Sequence, residues 1–214
     1  MAFNEFLYLK RQGIKAMNKI LIIFDTVSNS TQEASEIIFR ELSASDDTQV
    51  ELSHYSDVSD FDAYDTIIIG SPMRFKNFHP NIRKFIKKNR GILARKKVMC
   101  FLTCLYLIKD LDYSGFDFPV FSDPSFNAIP MPLKEMNMMD KTHSDSLYVA
   151  GVLENGLRPV SIAYFKGRLD LKSLGFFSRV FMKVVLMLTN KEQIGDFLDP
   201  ESVAEWAREI KQTV

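Results

Sequence analysis

One segment constrains the fold most: a buried-strand pattern that runs directly into a hydroxyl-rich turn and an amphipathic helix, at residues 19–40. Residues 20–24 are apolar without interruption, as in a parallel strand that is buried on both faces. Apolar residues then recur at helical spacing, at Ala34, Ile37, Ile38 and Leu42. Ser30 and Glu33 have capping-box spacing, which predicts a helix that begins near Thr31 with free N–H groups facing the turn. Such a helix start attracts anions, so the segment indicates a bound phosphorylated cofactor.

Length and composition favour a single domain. The chain has 214 residues, 46% of them hydrophobic, and no Pro/Gly/Ser-rich linker divides it. We expect an N-terminal extension at residues 1–17 and one domain at residues 18–214, with an excursion at about residues 105–146. No apolar run approaches the roughly 18 residues of a bilayer span, and the N-terminus lacks a signal-peptide pattern. We therefore predict a cytoplasmic protein.

Cysteine and histidine usage predicts no metal site. Cys100 and Cys104 lie in an apolar, strand-like run, which favours buried thiols over a disulfide or metal-binding pair. The histidines, His54, His79 and His143, are far apart in sequence and lack metal-ligand spacing.

The net charge of zero conceals two segregated blocks. Residues 46–65 carry acidic side chains and no Lys or Arg, whereas residues 71–97 carry basic side chains and no acid. The basic block is either a solvated helix face or a surface that attracts an anionic ligand or a membrane. We expect no nucleic-acid partner.

Alternating strand and helix patterns predict an α/β fold with a doubly wound parallel sheet. After the first unit, we predict strands at residues 49–54, 66–70, 98–103 and 147–153, and helices at residues 81–89 and 201–211. Gly91 is placed to end the first of these helices. In such an architecture helices cover both faces, and ligands bind beyond the carboxyl ends of the strands.

The excursion at residues 105–146 is rich in aromatic residues, methionine and proline. That much apolar surface must pack on the domain, and the prolines argue against one long helix. We predict a mostly irregular excursion beside the ligand site, with a short helix near residues 133–139.

Residues 25–31, DTVSNST, resemble the FMN-phosphate loop of flavodoxin-like domains. In that family the pattern hydroxyl-x-x-Gly-x-Thr follows the first strand, and Asn29 here takes the place of the glycine. Asn tolerates a positive φ, so the same turn is feasible. Plain helix capping is the alternative, although capping needs only Ser30 and Glu33. The resemblance implies FMN as the cofactor and a five-stranded sheet in the order 2-1-3-4-5.

Two later loops extend the resemblance. Residues 70–75, GSPMRF, match the second flavin-contacting loop, where Gly70 would let the backbone approach the ligand and Phe75 or Phe78 would cover the ring. Arg74 would oppose charge on the reduced flavin and is the one candidate for a catalytic side chain. Residues 103–106 match the third loop. The implied cofactor-binding residues are Thr26, Val27, Ser28, Asn29, Ser30, Thr31, Ser71, Pro72, Met73, Arg74, Phe75, Thr103, Cys104 and Leu105.

The second half of the chain resembles a narrower family. Residues 149–153, 164–170 and 176–183 look like the flavodoxin-domain family that includes the menaquinone-dependent protoporphyrinogen IX dehydrogenases of bacterial haem biosynthesis. Residues 195–197 and 206–209 also occur in relatives known only as flavodoxin domains. The resemblance implies protoporphyrinogen IX as electron donor and a quinone as acceptor.

Residues 172–189 are almost entirely apolar, with Lys172, Arg179 and Lys183 along one narrow stripe. A helix of this kind is either buried against the sheet or laid in a membrane interface with its basic stripe toward anionic headgroups. We expect burial, with one edge available for peripheral contact at the inner face of the membrane.

Three functions remain open. An FMN-dependent oxidoreductase would use the chain for phosphate anchoring, ring orientation and an apolar pocket built from the excursion. A flavodoxin-type electron carrier would instead dock redox partner proteins, but such carriers usually present an acidic face, whereas Arg74 and Lys76 open the basic block. A scaffold that has lost FMN is the third alternative.

Overall fold

The structure is a computed structural model, which describes residues 17–74, 76–110, 113–126, 134–135, 142–170 and 194–214. Three predictions fall outside the described residues: the extension before residue 17, a ring-covering role for Phe75, and the apolar helix at residues 172–189. All but two residues of the short helix predicted near residues 133–139 also lie outside them.

The described chain alternates strands and helices. The strands are β1 (Asn18–Phe24), β2 (Thr48–His54), β3 (Thr66–Arg74), β4 (Asn77–Phe78), β5 (Lys97–Cys104), β6 (Val120–Ser122), β7 (Pro159–Lys166), β8 (Arg168–Leu169) and β9 (Gly195–Asp196). The helices are α1 (Ser30–Ser43), α2 (Pro80–Leu93), α3 (Asp145–Leu153) and α4 (Pro200–Lys211), with a 3₁₀ turn at Tyr113–Gly115.

The main sheet confirms the predicted fold class. Its strands follow the order β2-β1-β3-β5-β7-β6, and all of these neighbours are parallel. The first five of them occupy the positions 2-1-3-4-5 of a flavodoxin-like sheet. β6 comes from the excursion and adds an edge strand, while β4 turns back antiparallel to the end of β3.

Two predicted elements are wrong. Residues 147–153 form part of α3 rather than the fifth strand, and β7 occupies that place in the sheet. Periodicity does not separate the two, because a short apolar run suits a buried helix as well as a buried strand. Gly91 lies inside α2 instead of ending it, on an exposed part of the helix where a Cβ would meet no heavy atom within 4 Å.

Apolar residues form one core on each face of the sheet. Alternate residues of β1 enter opposite cores, so Leu21 packs toward α2 and α3 while Ile22 packs toward α1 and α4. The helix predicted at residues 201–211 is present as α4, and its Trp206 is 1% exposed and donates to Ser161 Oγ at 3.0 Å. Among the described residues, no helix is long and apolar enough to cross a membrane.

The described part of the excursion packs on the domain, as predicted. Leu107 and Phe126 are buried in the core on the α2 and α3 face, and Ile108 is buried as well. A polar contact fastens it to the start of α3: Asp110 accepts from the N–H of Ser146 at 3.0 Å and from its hydroxyl at 2.7 Å. The excursion therefore holds α3 in place beside the sheet.

Candidate functional site

The carboxyl ends of β1, β3 and β5 meet at one edge of the sheet. The order β2-β1-β3 reverses direction between β1 and β3, and this reversal opens the crevice in which doubly wound sheets bind their ligands. The loop at residues 25–29 follows β1, the β3–β4 hairpin lies beside it, and the excursion begins after β5. All three loops predicted to contact a cofactor therefore lie along the same edge.

The loop after β1 makes its turn through Asn29. This residue has φ 64° and ψ −11°, the left-handed conformation that the sequence predicts for the position where the family carries glycine. The carbonyl of Asn29 accepts the N–H of Glu33 at 2.9 Å, so Asn29 is the N-cap. The predicted capping box is wrong, since Ser30 is the first helical residue and the Glu33 carboxylate instead binds Arg168 at 2.8 Å.

Two features of this loop fit a phosphate group. The N–H groups in the first turn of α1 have no partner within the helix, and the positive end of the helix dipole faces the loop. The hydroxyl oxygen of Thr26 is buried and has no hydrogen-bond partner. An orphaned buried hydroxyl is costly, and a phosphate oxygen placed here would satisfy it.

Thr31 and Thr103, predicted on two separate loops, contact each other. Their hydroxyl oxygens are 2.8 Å apart, and the two residues are only 1% and 5% exposed. Gly167 closes over this contact, because a Cβ there would lie 3.1 Å from Ser30 Oγ and 3.3 Å from Thr103 Cβ. The hydroxyl of Thr31 thus joins the start of α1 to the end of β5.

Replacing Thr31 with valine is expected to lower the free energy of unfolding by about 1 kcal/mol, because the Thr103 hydroxyl would stay buried without its partner. Urea unfolding measures the change. The matched variant is Thr31→Val combined with Thr103→Val, which removes both polar groups and should cost less than the sum of the single changes. Strictly additive losses would contradict a direct bond between the two hydroxyls.

The second predicted loop is a continuation of β3, so the predicted strand end at Gly70 is wrong. Gly70 makes room for the core instead of a ligand, since a Cβ there would lie 2.2 Å from Cζ of Phe101. Phe78 is 1% exposed within the core, so its predicted role of covering a flavin ring is also wrong. Pro72, Met73 and Arg74 are half-buried along the end of the strand.

The third predicted loop begins with a buried thiol. Cys104 ends β5 and is 8% exposed, and Cys100 lies deeper in the same strand. Burial raises the pKa of both thiols well above the ordinary value, so they stay protonated and unreactive at neutral pH. The prediction of free buried thiols is confirmed.

Aromatic side chains surround the segment that follows β5. The rings of Tyr106 and His143 lie 5.5 Å apart, and those of His143 and Tyr148 lie 6.5 Å apart. The hydroxyl of Tyr148 donates to the carbonyl of Tyr106 at 3.3 Å. The excursion and the start of α3 therefore place a cluster of three aromatic rings next to the third loop.

The sequence reasoning missed a cluster of one carboxylate and two imidazoles. Asp25 is 4% exposed, and its Oδ2 lies 2.6 Å from Nδ1 of His79. Its Oδ1 accepts the N–H of Thr26 at 2.9 Å and lies 3.6 Å from Nε2 of His54. Asp25 follows β1 and His54 ends β2, so adjacent strand ends were an available signal for this pair. The approach of His79 depends on the β3–β4 hairpin, which the sequence did not predict.

The flavodoxin-domain family model matches residues 21–194. The chain therefore belongs to the flavodoxin-domain family, whose members are flavin-binding α/β domains. No curated protein matches the sequence at a significant level.

Several solved structures match this chain at low sequence identity. Oxidised flavodoxin 2 from Bacillus cereus is 17% identical, with 92% of this chain and 99% of that chain covered and a TM-score of 0.45. The apo form of an NADH:FMN oxidoreductase is 11% identical, with coverages of 92% and 90% and a TM-score of 0.45. The rubredoxin oxygen:oxidoreductase of Desulfovibrio gigas is 12% identical, with coverages of 100% and 41% and a TM-score of 0.42. This chain thus spans less than half the length of the last protein.

Proposed function

We propose that this protein binds FMN at the carboxyl edge of its sheet and works as an FMN-dependent oxidoreductase. The observation that carries the proposal is the turn after β1, where the orphaned hydroxyl of Thr26 and the left-handed Asn29 precede the N-terminus of α1. This loop would hold the phosphate, and residues 71–74 and 103–105 would border the ring. When bound, the flavin supplies the electron-transfer chemistry, while the protein supplies binding and orientation.

The segment after β5 supports a protein that acts on its own organic substrate. Tyr106 and His143 are half-buried next to the third loop, in contact with the buried Tyr148, and their rings would suit a flat, apolar substrate. The resemblance of the second half of the chain makes protoporphyrinogen IX the proposed donor and a quinone the proposed acceptor. Peripheral contact with the inner face of the membrane, through residues 172–189, belongs to the same proposal.

The basic face of α2 fits this proposal better than it fits a simple carrier. Arg83, Lys84, Lys87 and Lys88 are exposed on the helix that directly follows the β3–β4 hairpin. A carrier of this fold usually docks through acidic groups around the flavin, and basic groups suit a substrate that carries carboxylates. Propionate groups of a porphyrinogen would have that charge.

A flavin and turnover assay tests the proposed function. We expect the purified protein to contain FMN or to take it up when FMN is added to stripped protein, as measured by flavin absorbance. We also expect anaerobic oxidation of protoporphyrinogen IX, followed by porphyrin fluorescence, that depends on a menaquinone analogue. Bound FMN without turnover would favour the electron carrier, and a protein that takes up no FMN would overturn the cofactor assignment.

Replacing Asn29 with valine is expected to weaken FMN binding by about tenfold, because a β-branched residue at positive φ costs roughly 1–2 kcal/mol and shifts the turn. Fluorescence quenching on titration with FMN measures the dissociation constant. Asn29→Gly is the matched control, since glycine adopts the observed φ of 64° freely and should keep the affinity. Equal affinities for the valine and glycine variants would place the phosphate elsewhere.

A further inference from the structure

We propose that His79, held by the buried carboxylate of Asp25, takes up a proton when the phosphate group of FMN binds to the adjoining loop. This inference rests on the proposed FMN site. It assigns a proton-coupled role in cofactor binding to Asp25, the first residue of the phosphate loop, and to His79, which lies outside the three flavin loops. The proposed role of His79 is to balance the negative charge of Asp25. No step of electron transfer is assigned to it.

The carboxylate of Asp25 defines which atom of His79 exchanges a proton. Oδ2 of Asp25 lies 2.6 Å from Nδ1 of His79. An ionised carboxylate only accepts hydrogen bonds, so Nδ1 of His79 carries the hydrogen in this contact. Nε2 is then the nitrogen that gains or releases a proton, and the His79 side chain is 20% exposed, which keeps it in reach of water.

His79 is held at the crevice by its backbone as well as by its ring. Its N–H donates to Ser71 Oγ at 2.8 Å, and its carbonyl accepts the N–H of Arg83 at 3.0 Å in the first turn of α2. The Ser71 hydroxyl in turn donates to the carbonyl of Pro72 at 2.9 Å. The imidazole is therefore fixed between the end of β1 and the β3–β4 hairpin, on the two sides of the point where the strand order reverses.

Charge balance explains why phosphate binding calls for a proton. Asp25 is the first residue of the loop, and its carboxylate accepts the N–H of Thr26, the next residue. A phosphate at this turn brings a second negative charge close to a carboxylate that water barely reaches, where repulsion is strong. A cation on His79 would neutralise Asp25 at the moment the phosphate arrives.

Two other described groups near the loop, Arg168 and His54, already have partners. Arg168, in β8, binds Glu33 in the first turn of α1 at 2.8 Å and also contacts Asp196. Nδ1 of His54 lies 2.7 Å from the hydroxyl of Ser56, which donates to Asp57, and its ring packs on Tyr55 and against the edge of Phe24. The hairpin adds Arg74, half-buried, and Lys76, exposed. His79 makes the closest contact with Asp25 and is the group placed to respond.

Calorimetry of FMN binding in two buffers with different ionisation enthalpies counts the protons taken up. At pH 7.5 the phosphate of FMN is already a dianion, since its second pKa is about 6, so uptake belongs to the protein. We expect wild-type protein to take up about 0.3–1 proton per FMN, and its dissociation constant for FMN to rise by roughly threefold to tenfold between pH 7 and pH 9. Riboflavin, which lacks the phosphate, should bind without proton uptake.

Three variants assign the proton to His79. His79→Gln should abolish the uptake and flatten the pH dependence, and Asp25→Asn should reduce both, which keeps the test decisive if His79→Gln does not fold. His54→Gln should keep the proton uptake of wild type. Uptake that persists in His79→Gln, or that disappears in His54→Gln instead, overturns the assignment.

The same titrations separate this inference from the proposed function. Wild-type protein that binds FMN without taking up a proton overturns the role of His79 and leaves the FMN site intact. Protein that binds neither FMN nor riboflavin overturns both.

Discussion

Replacing Gly151 with alanine is expected to lower the free energy of unfolding by more than about 3 kcal/mol, because the new methyl group has no room. A Cβ at this position would lie 1.8 Å from the backbone carbonyl oxygen of Lys76. A backbone oxygen cannot rotate away as a side chain can, so α3 or the β3–β4 hairpin must move. Urea unfolding measures the loss.

The clash should also weaken FMN binding, because α3 and the hairpin are joined. Asn155, just after α3, donates to Oδ1 of Asn77 in β4 at 2.8 Å. A displaced α3 would therefore draw the hairpin away from the crevice. Gly91→Ala is the matched control: a Cβ there meets nothing within 4 Å, and an exposed helical alanine should stabilise by about 0.5–1 kcal/mol. A Gly151→Ala variant as stable as wild type would disprove the close backbone packing.

The free energy of unfolding is expected to fall by about 2 kcal/mol between pH 4 and pH 6.5 through Asp145, after allowance for solvent screening. Asp145 is fully buried, and burial, together with the neighbouring Asp110, raises its pKa to about 6. The unfolded chain loses this proton near pH 4, whereas the folded chain keeps it until about pH 6. Stability therefore falls as the pH rises through this window and is level above it.

Asp145→Asn isolates this contribution. Asparagine can still accept the N–H of Asp110, which donates to Asp145 Oδ1 at 3.0 Å, and it can still contact Tyr113. The variant should match wild type at pH 4 and exceed its stability by about 2 kcal/mol at pH 8 in urea unfolding. Asp46→Asn, at an exposed position, should give a curve of unfolding free energy against pH that is parallel to that of wild type. If the curve of Asp145→Asn were also parallel to that of wild type, the buried carboxyl would not be the source of the pH dependence.

The sequence predicted the correct secondary structure where its apolar pattern indicated one type of element. The helical spacing in α1 and α4 led to the correct elements because it suits only a helix. The uninterrupted apolar run of β1 was assigned correctly because it is short and a turn-forming segment follows it directly. The pattern was ambiguous at residues 147–153, where α3 has buried residues that include Tyr148, Val149 and Val152. The excursion covers this helix, so positions that would be polar on an exposed helix are apolar here.

The candidate site was predictable only in part. The turn at Asn29 could be predicted because its conformation depends on local backbone sterics, which a single residue type reveals. Gly70 was misassigned because its neighbour in space, Phe101, comes from another strand. The contact between Thr31 and Thr103 could not be predicted either, because the two residues are 72 positions apart in the chain.

The sequence by itself determined the alternation of strands and helices, the parallel sheet, and the left-handed turn after β1, because these depend on short-range periodicity and backbone preference. Only the tertiary structure decided that Asp25 contacts His79, that Thr31 contacts Thr103, and that α3 packs directly on the hairpin. Those contacts depend on how far β3 extends and on where its hairpin folds back. Packing between distant segments sets both features, and such packing leaves no periodic signal in the sequence.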